Sequence, residues 1–295
     1  MNKILPFKGC ATALVTPFRD GEIDTDALTR LIERQIENGV DALVIGGTTG
    51  ECATLCDRER EALYRYAIEA VDGRTRVILG TGTNDTHVAV SHTRLAERLG
   101  ADAVLTVTPY YNKGTSEGIV KHYEAVACAT RLPVILYNVP SRTGVNLSID
   151  ILMRLSEIEN IVALKEASDS LDRLVDLCEG LAGRLAIYSG NDTQLFPTLA
   201  LGGAGIISVV SNLLPREVET VCQLYFQGRT AEARALAFSL LPLSHALFLD
   251  TNPSPVKYAL QHCGLCRGEV RLPLAEVSAA VAEKIELALS HHPIY

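Results

Sequence analysis

Val134-Ile135-Leu136-Tyr137-Asn138-Val139-Pro140-Ser141-Arg142-Thr143-Gly144, followed after a stretch opened by Ser148 by Ile161-Val162-Ala163-Leu164-Lys165-Glu166, decides how this chain folds. Each segment starts with four apolar or aromatic residues in an unbroken run. Four residues are too few for a helix, and the run lacks the alternation of a half-exposed strand. It reads as a strand buried on both faces. The Pro, Ser and Gly that follow the first run mark a loop. Ser148 has the chemistry to cap a helix leading to the second run.

The same unit recurs in both directions. Apolar runs lie at 11–15, 42–45, 77–79, 103–107, 134–137, 161–164, 185–188 and 205–209. Helix signals fill several of the gaps. Over 24–38, Leu28, Leu31, Ile32 and Ile36 share one face, Asp24 can cap the start and Gly39 can end it. A second helix is expected over 57–71 with Asp57 as its cap. A third, over 86–99, turns Val88, Leu95, Ala96 and Leu99 inward. Asp169 and Asp192 are expected to open later helices. Eight strand–helix units at this spacing predict an α/β fold, a closed (β/α)8 TIM barrel. A doubly wound open sheet is the alternative, but no edge strand and no GxGxxG after the first strand support it. Beyond Ser211 the strand signal ends. Helices are expected over 215–227, 230–249 (interrupted at Pro242), 254–263 and 274–290. The expected organisation is a catalytic barrel over 1–211 and a C-terminal helical extension over 212–295.

Composition narrows the function classes. The 295 residues are 47% hydrophobic and 21% charged, which excludes a disordered polyelectrolyte. A formal net charge of −8 argues against a nucleic-acid partner. No apolar run approaches the roughly 20 residues that span a bilayer, and the start lacks a signal-peptide core. A cytoplasmic protein is expected, with no membrane partner and its eight cysteines as thiols. Cys263 and Cys266 form a lone CxxC without a second ligand pair. The seven histidines form no HExxH or triad spacing, so no metal site is expected.

In such a barrel the chemistry sits where strands end and loops begin. Lys165 ends an apolar run, so its stem starts inside an apolar wall. There it must snorkel, pair, or lose its charge. A neutral amine forms an imine with a carbonyl substrate. The bland alternative is a buried ion pair, for which Glu166 is a poor direct partner because adjacent strand residues face opposite ways. Tyr137 ends the preceding strand and can shuttle a proton beside Lys165, unless it is a core tyrosine. Thr48 and Thr49 follow Gly46-Gly47 and can bind a carboxylate, pass a proton, or merely cap the next helix. Arg142, in a Pro/Ser/Gly loop, suits a substrate carboxylate or is simply solvated.

Taken together, Gly47-Thr48-Thr49-Gly50-Glu51, Thr108-Pro109-Tyr110-Tyr111-Asn112, the 137–144 segment and Lys165-Glu166-Ala167 resemble the dihydrodipicolinate synthase (4-hydroxy-tetrahydrodipicolinate synthase) family. The resemblance covers nearly the whole chain, including Asn252-Pro253-Ser254-Pro255-Val256-Lys257. It implies a Schiff-base-forming lyase of the class I pyruvate aldolases, acting in lysine and diaminopimelate biosynthesis. It implies Lys165 as the imine-forming residue and Tyr137 as proton donor and acceptor. Thr48 and Tyr111, the latter from a neighbouring subunit, would complete a hydroxyl relay. It further implies that Thr49 holds the pyruvate carboxylate, that Gly190 and the Ile207 backbone lie against bound pyruvate, and that Arg142 binds L-aspartate 4-semialdehyde. No metal or organic cofactor is implied, and the assembly is a homotetramer, a dimer of dimers. Related pyruvate aldolases, such as N-acetylneuraminate lyase or 2-keto-3-deoxy sugar-acid aldolases, are the alternative. Lysine-inhibited relatives often place a His and a Glu where this chain has Arg60 and Val88, with Asn84 and Tyr110 retained. Weak or absent lysine feedback is therefore expected.

Overall fold

A computed structural model describes residues 3–292. Eight parallel strands close into a barrel: β1 (Gly9–Ala13), β2 (Ala42–Ile45), β3 (Arg76–Gly80), β4 (Ala103–Val107), β5 (Val134–Asn138), β6 (Ile161–Glu166), β7 (Ala186–Ser189) and β8 (Gly205–Ser208). Every strand pairs with its sequence neighbours, and β8 returns to β1. The barrel was legible because its strands alternate between two apolar environments. Ala42, Val44, Ala163 and Ile207 face the interior cluster, whereas Leu43, Ile45, Leu164 and Ile206 face the helices. The closing seam needs glycine. A Cβ on Gly205, whose φ is +148°, would lie 1.8 Å from the Gly9 carbonyl oxygen. Phe7 stacks on Tyr188 in the same interior cluster, with ring centroids 4.2 Å apart.

Strand β1 lies two residues before its expected position. The chain leaves the ladder at Val15, whose N–H donates to the Asn212 side chain instead of to a strand. A two-stranded hairpin, Phe18–Arg19 with Glu22–Ile23, was not anticipated.

The helices that follow the first seven strands are α1 (Thr25–Glu37), α2 (Asp57–Val71), α3 (Thr86–Leu99), α4 (Ser116–Cys128), α5 (Ile149–Ser156), α6 (Leu171–Gly180) and α7 (Leu195–Ala200). Asp24 caps α1 as expected. Three other expected caps differ. Cys56 precedes α2, where Glu59 accepts from its backbone N–H. Ser170, not Asp169, caps α6. Asp192 caps no long helix and is committed elsewhere, as described below. Helix α3 buries Ala89, His92, Thr93 and Ala96, while Val88, Leu95 and Leu99 are half-buried. Ala96 is buried and Leu95 and Leu99 still pack against the core, as expected, while Thr93 on the buried face donates to Thr81 just past β3.

Helix α8 (Pro215–Phe226) packs on β1, so the outer ring takes in residues beyond 211. Its Glu219 and Asp41 both accept from the Cys10 N–H, at 2.9 Å each. Burial pushes both carboxyls upward; Asp41 raises Glu219 further, to about 8, while the contact with Glu219 draws Asp41 back down. Farther on come α9 (Thr230–Ser239), α10 (Leu241–Ala246), α11 (Ser254–His262) and α12 (Ala279–Leu289). The expected 230–249 helix divides before Pro242, which sits in the first turn of α10, where a missing N–H costs nothing. The expected 274–290 helix begins only at Ala279, with Ser278 as its cap. No helix among the described residues is long and apolar enough to cross a membrane.

Candidate active site

Tyr137 and Lys165 are register partners at the ends of β5 and β6, so both point into the barrel mouth. Lys165 is 5% exposed, and its Nζ lies 4.3 Å from the Tyr137 ring centroid. No hydrogen bond or ion pair among the described residues engages that nitrogen. Desolvation is the main cause that lowers its pKa, to about 8, and Arg142 lowers it further, while Asp192 works the other way. Relative to an ordinary lysine this favours the neutral amine by roughly 3 kcal/mol. The alternative of a Lys165–Glu166 pair is not what forms. Glu166 faces the helices, accepts from Asn138, and pairs with Arg173 at 3.2 Å. That cluster braces the ends of β5 and β6 from outside while Lys165 stays free inside.

Burial pushes the Tyr137 phenol up, and Arg142 and the neighbouring Thr48 hydroxyl pull it back. Thr49, 3% exposed, accepts from the Asn252 side chain at 3.0 Å. Arg142, on a single helical turn after β5, donates to the Asn252 carbonyl at 3.0 Å. A cavity of about 590 Å³ is lined by Lys165, Tyr137, Thr49, Arg142 and Gly190 together with Asp192 and Asn252. At Gly190 a Cβ would lie 3.0 Å from Lys165 Cε and 2.7 Å from the Ala167 Cβ, so only glycine leaves room for the lysine stem.

Not every expected residue meets in this cavity. Thr48 stands behind Tyr137 rather than on the wall, and Ile207 is fully buried in β8. Tyr111 is 88% exposed, with φ +70°, and does not line the cavity within one subunit.

Sequence reasoning missed how the C-terminal helices complete the site. Residues of α10 and the loop to α11, including His245 and Phe248, form the outer wall. Behind Thr48 and Thr49, Glu51 adopts φ +55° and is buried. Its carboxylate accepts from Lys257 Nζ at 2.6 Å and from the Arg271 N–H at 2.9 Å. Lys257 is fully buried and lies over the Phe18 ring. The Asn252-to-Lys257 segment was visible as a motif, but only the folded chain shows what it grips. Among the described residues, no group of three or more His, Cys, Asp or Glu side chains is arranged to hold a metal ion.

The family model described as the dihydrodipicolinate synthetase family matches residues 6–292. The chain belongs to the dihydrodipicolinate synthetase family. It is 47% identical over 281 residues to the 4-hydroxy-tetrahydrodipicolinate synthase of Geotalea uraniireducens, covering 95% of this chain and 96% of the relative. The Pelobacter propionicus protein of the same name is 47% identical over 274 residues, covering 93% and 94%. The structure of the 4-hydroxy-tetrahydrodipicolinate synthase from Methylacidiphilum fumariolicum SolV superposes with a TM-score of 0.95 at 45% identity. It covers 97% of this chain, which in turn covers 95% of it. For a dihydrodipicolinate synthetase family member, the Lys257–Glu51 pair ties the extension to the threonine loop. Replacing Lys257 by methionine strands a buried carboxylate and should cost about 3–5 kcal/mol in urea unfolding. Adding Glu51→Gln should recover much of that loss, and unchanged stability in Lys257→Met would contradict the clamp.

Proposed function

We propose that this protein is a 4-hydroxy-tetrahydrodipicolinate synthase, joining pyruvate to L-aspartate 4-semialdehyde in lysine and diaminopimelate biosynthesis. The observation that carries the reading is the buried, unpaired Lys165 amine beside Tyr137, in a cavity that also presents Arg142. Family membership and the names of the relatives favour this reading over the sugar-acid aldolases.

In the proposed reaction the neutral Lys165 amine adds to the pyruvate ketone, and loss of water gives an imine. The cationic imine acidifies the pyruvate methyl group. Loss of one of its protons gives an enamine, whose carbon attacks the semialdehyde. The amino group of the adduct then displaces Lys165 and closes the ring. Each stage moves a proton. Tyr137, polarised by Thr48, is placed to carry it. Thr49 holds the pyruvate carboxylate, and Gly190 with the Ile207 backbone flanks it. Arg142 orients the semialdehyde through its carboxylate. The exposed ring of Tyr111 suits insertion into a neighbouring subunit, where it would complete the hydroxyl relay. This reading carries with it a homotetramer and a cytoplasmic enzyme.

Borohydride reduction in the presence of pyruvate should attach the three-carbon unit to the Lys165 peptide alone. Turnover with L-aspartate 4-semialdehyde should far exceed turnover with glyceraldehyde or N-acetylmannosamine. A label on another lysine, or preference for the sugar aldehydes, would overturn the assignment.

Arg60 is buried and donates to the Tyr64 hydroxyl and the Cys52 carbonyl, which fixes a cation where lysine's amines would have to approach. Millimolar lysine should therefore leave the initial rate essentially unchanged. Strong inhibition would contradict this.

A further inference from the structure

Asp192 was expected to open a helix, but its carboxylate is used differently. One oxygen accepts from the Ser208 hydroxyl. The other accepts from the backbone N–H groups of Val209, at 3.0 Å, and Val210, at 3.3 Å. Three donors from the end of β8 and the turn beyond it thus hold the carboxylate in place. It lines the same cavity as Lys165, yet the two form no ion pair within 4 Å. The other charged and titratable groups facing this region are Arg142 after β5, Tyr137 on β5, Asp169 after β6, His245 on α10 and the buried thiol of Cys10 on β1. Asp169 is exposed at the rim. Asp192 is therefore the anion fixed deepest beside the lysine.

Resting on the reading of Lys165 as the imine-forming residue, we propose that Asp192 is the counter-charge of the cationic imine. Adding the Lys165 amine to the ketone forms a C–N bond. The former carbonyl oxygen departs as water carrying one proton from the amine and one delivered through Tyr137 from solvent, and that second proton leaves one positive charge on the C=N–H nitrogen. That charge persists until a methyl proton leaves to give the enamine. A carboxylate in direct contact would hold the lysine protonated before attack. One held a little farther away leaves a useful fraction of neutral amine and still stabilises the cation once it forms. Its three hydrogen bonds keep it from swinging in to make that contact.

Asp192→Asn can keep the local geometry. Its amide oxygen can accept from Val209 and Val210, and the Ser208 hydroxyl can turn to accept from the amide nitrogen. Removing the anion should move the acid limb of kcat/KM for pyruvate downward by about one pH unit, because Lys165 then loses its proton more easily. kcat should fall by roughly tenfold or more, because the imine cation has lost its partner. Ser208→Ala keeps the charge while loosening its hold, so its acid limb should stay at the wild-type pH. His245→Gln should also leave the limb in place. If Asp192→Asn does not fold, Asp192→Ser serves as the neutral variant, read by the same limb. A neutral variant that loses activity with an unmoved or raised limb would reduce Asp192 to a structural tie and overturn the proposal. Failure of wild-type borohydride labelling at Lys165 would instead overturn the underlying reading, so the two failures are distinguishable.

Discussion

An amine that has lost water without gaining a carboxylate contact is the constraint on which the rest of this structure depends. Burial alone would favour neutralising Lys165, and any adjacent carboxylate would reverse that. The surroundings avoid the reversal. Glu166, the nearest acid in sequence, is turned outward and committed to Asn138 and Arg173. Asp192 is tied to β8 and the turn beyond it. Gly190 leaves a channel for the lysine stem, and Tyr137 offers an aromatic face instead of an anion.

The barrel supplies the floor of this site, and the C-terminal helices supply much of its wall. Asn252 touches Thr49 through its side chain and Arg142 through its carbonyl, joining the two groups proposed to hold substrate carboxylates. Lys257 and Arg271 meet on the Glu51 carboxylate, just past the threonines. A buried ion pair is a poor source of net stability compared with a packed apolar core. Its value here is geometric, because it fixes one loop of the barrel against a helix more than 200 residues later in the chain.

Sequence reading reached the barrel because its strands are short, continuously apolar and regularly spaced. Strand order then placed Tyr137 beside Lys165 without coordinates. What it could not reach depends on contacts distant in sequence. Asp192 looks like any helix-opening aspartate until Ser208 and the Val209 and Val210 amides are seen to converge on it. Asn252 and Lys257 stand in a recognisable motif whose partners lie on the opposite side of the chain. The cap of α6 moved by one residue because Asp169 and Ser170 are both suitable caps, whereas at α2 the Glu59 carboxylate holds the N–H of Cys56 and Asp57 falls inside the first turn. Tyr111 is legible as a motif residue, but its proposed role lies across a subunit boundary.

Lys165 gives up its proton far more readily than an ordinary lysine, so that a working fraction of neutral amine is present near physiological pH. Competitive labelling of the native enzyme with trace acetic anhydride across a pH series, read on the Lys165 peptide by mass spectrometry, measures that directly. A reactivity midpoint near 8 is expected. A midpoint near the ordinary lysine value of 10.5 would contradict it.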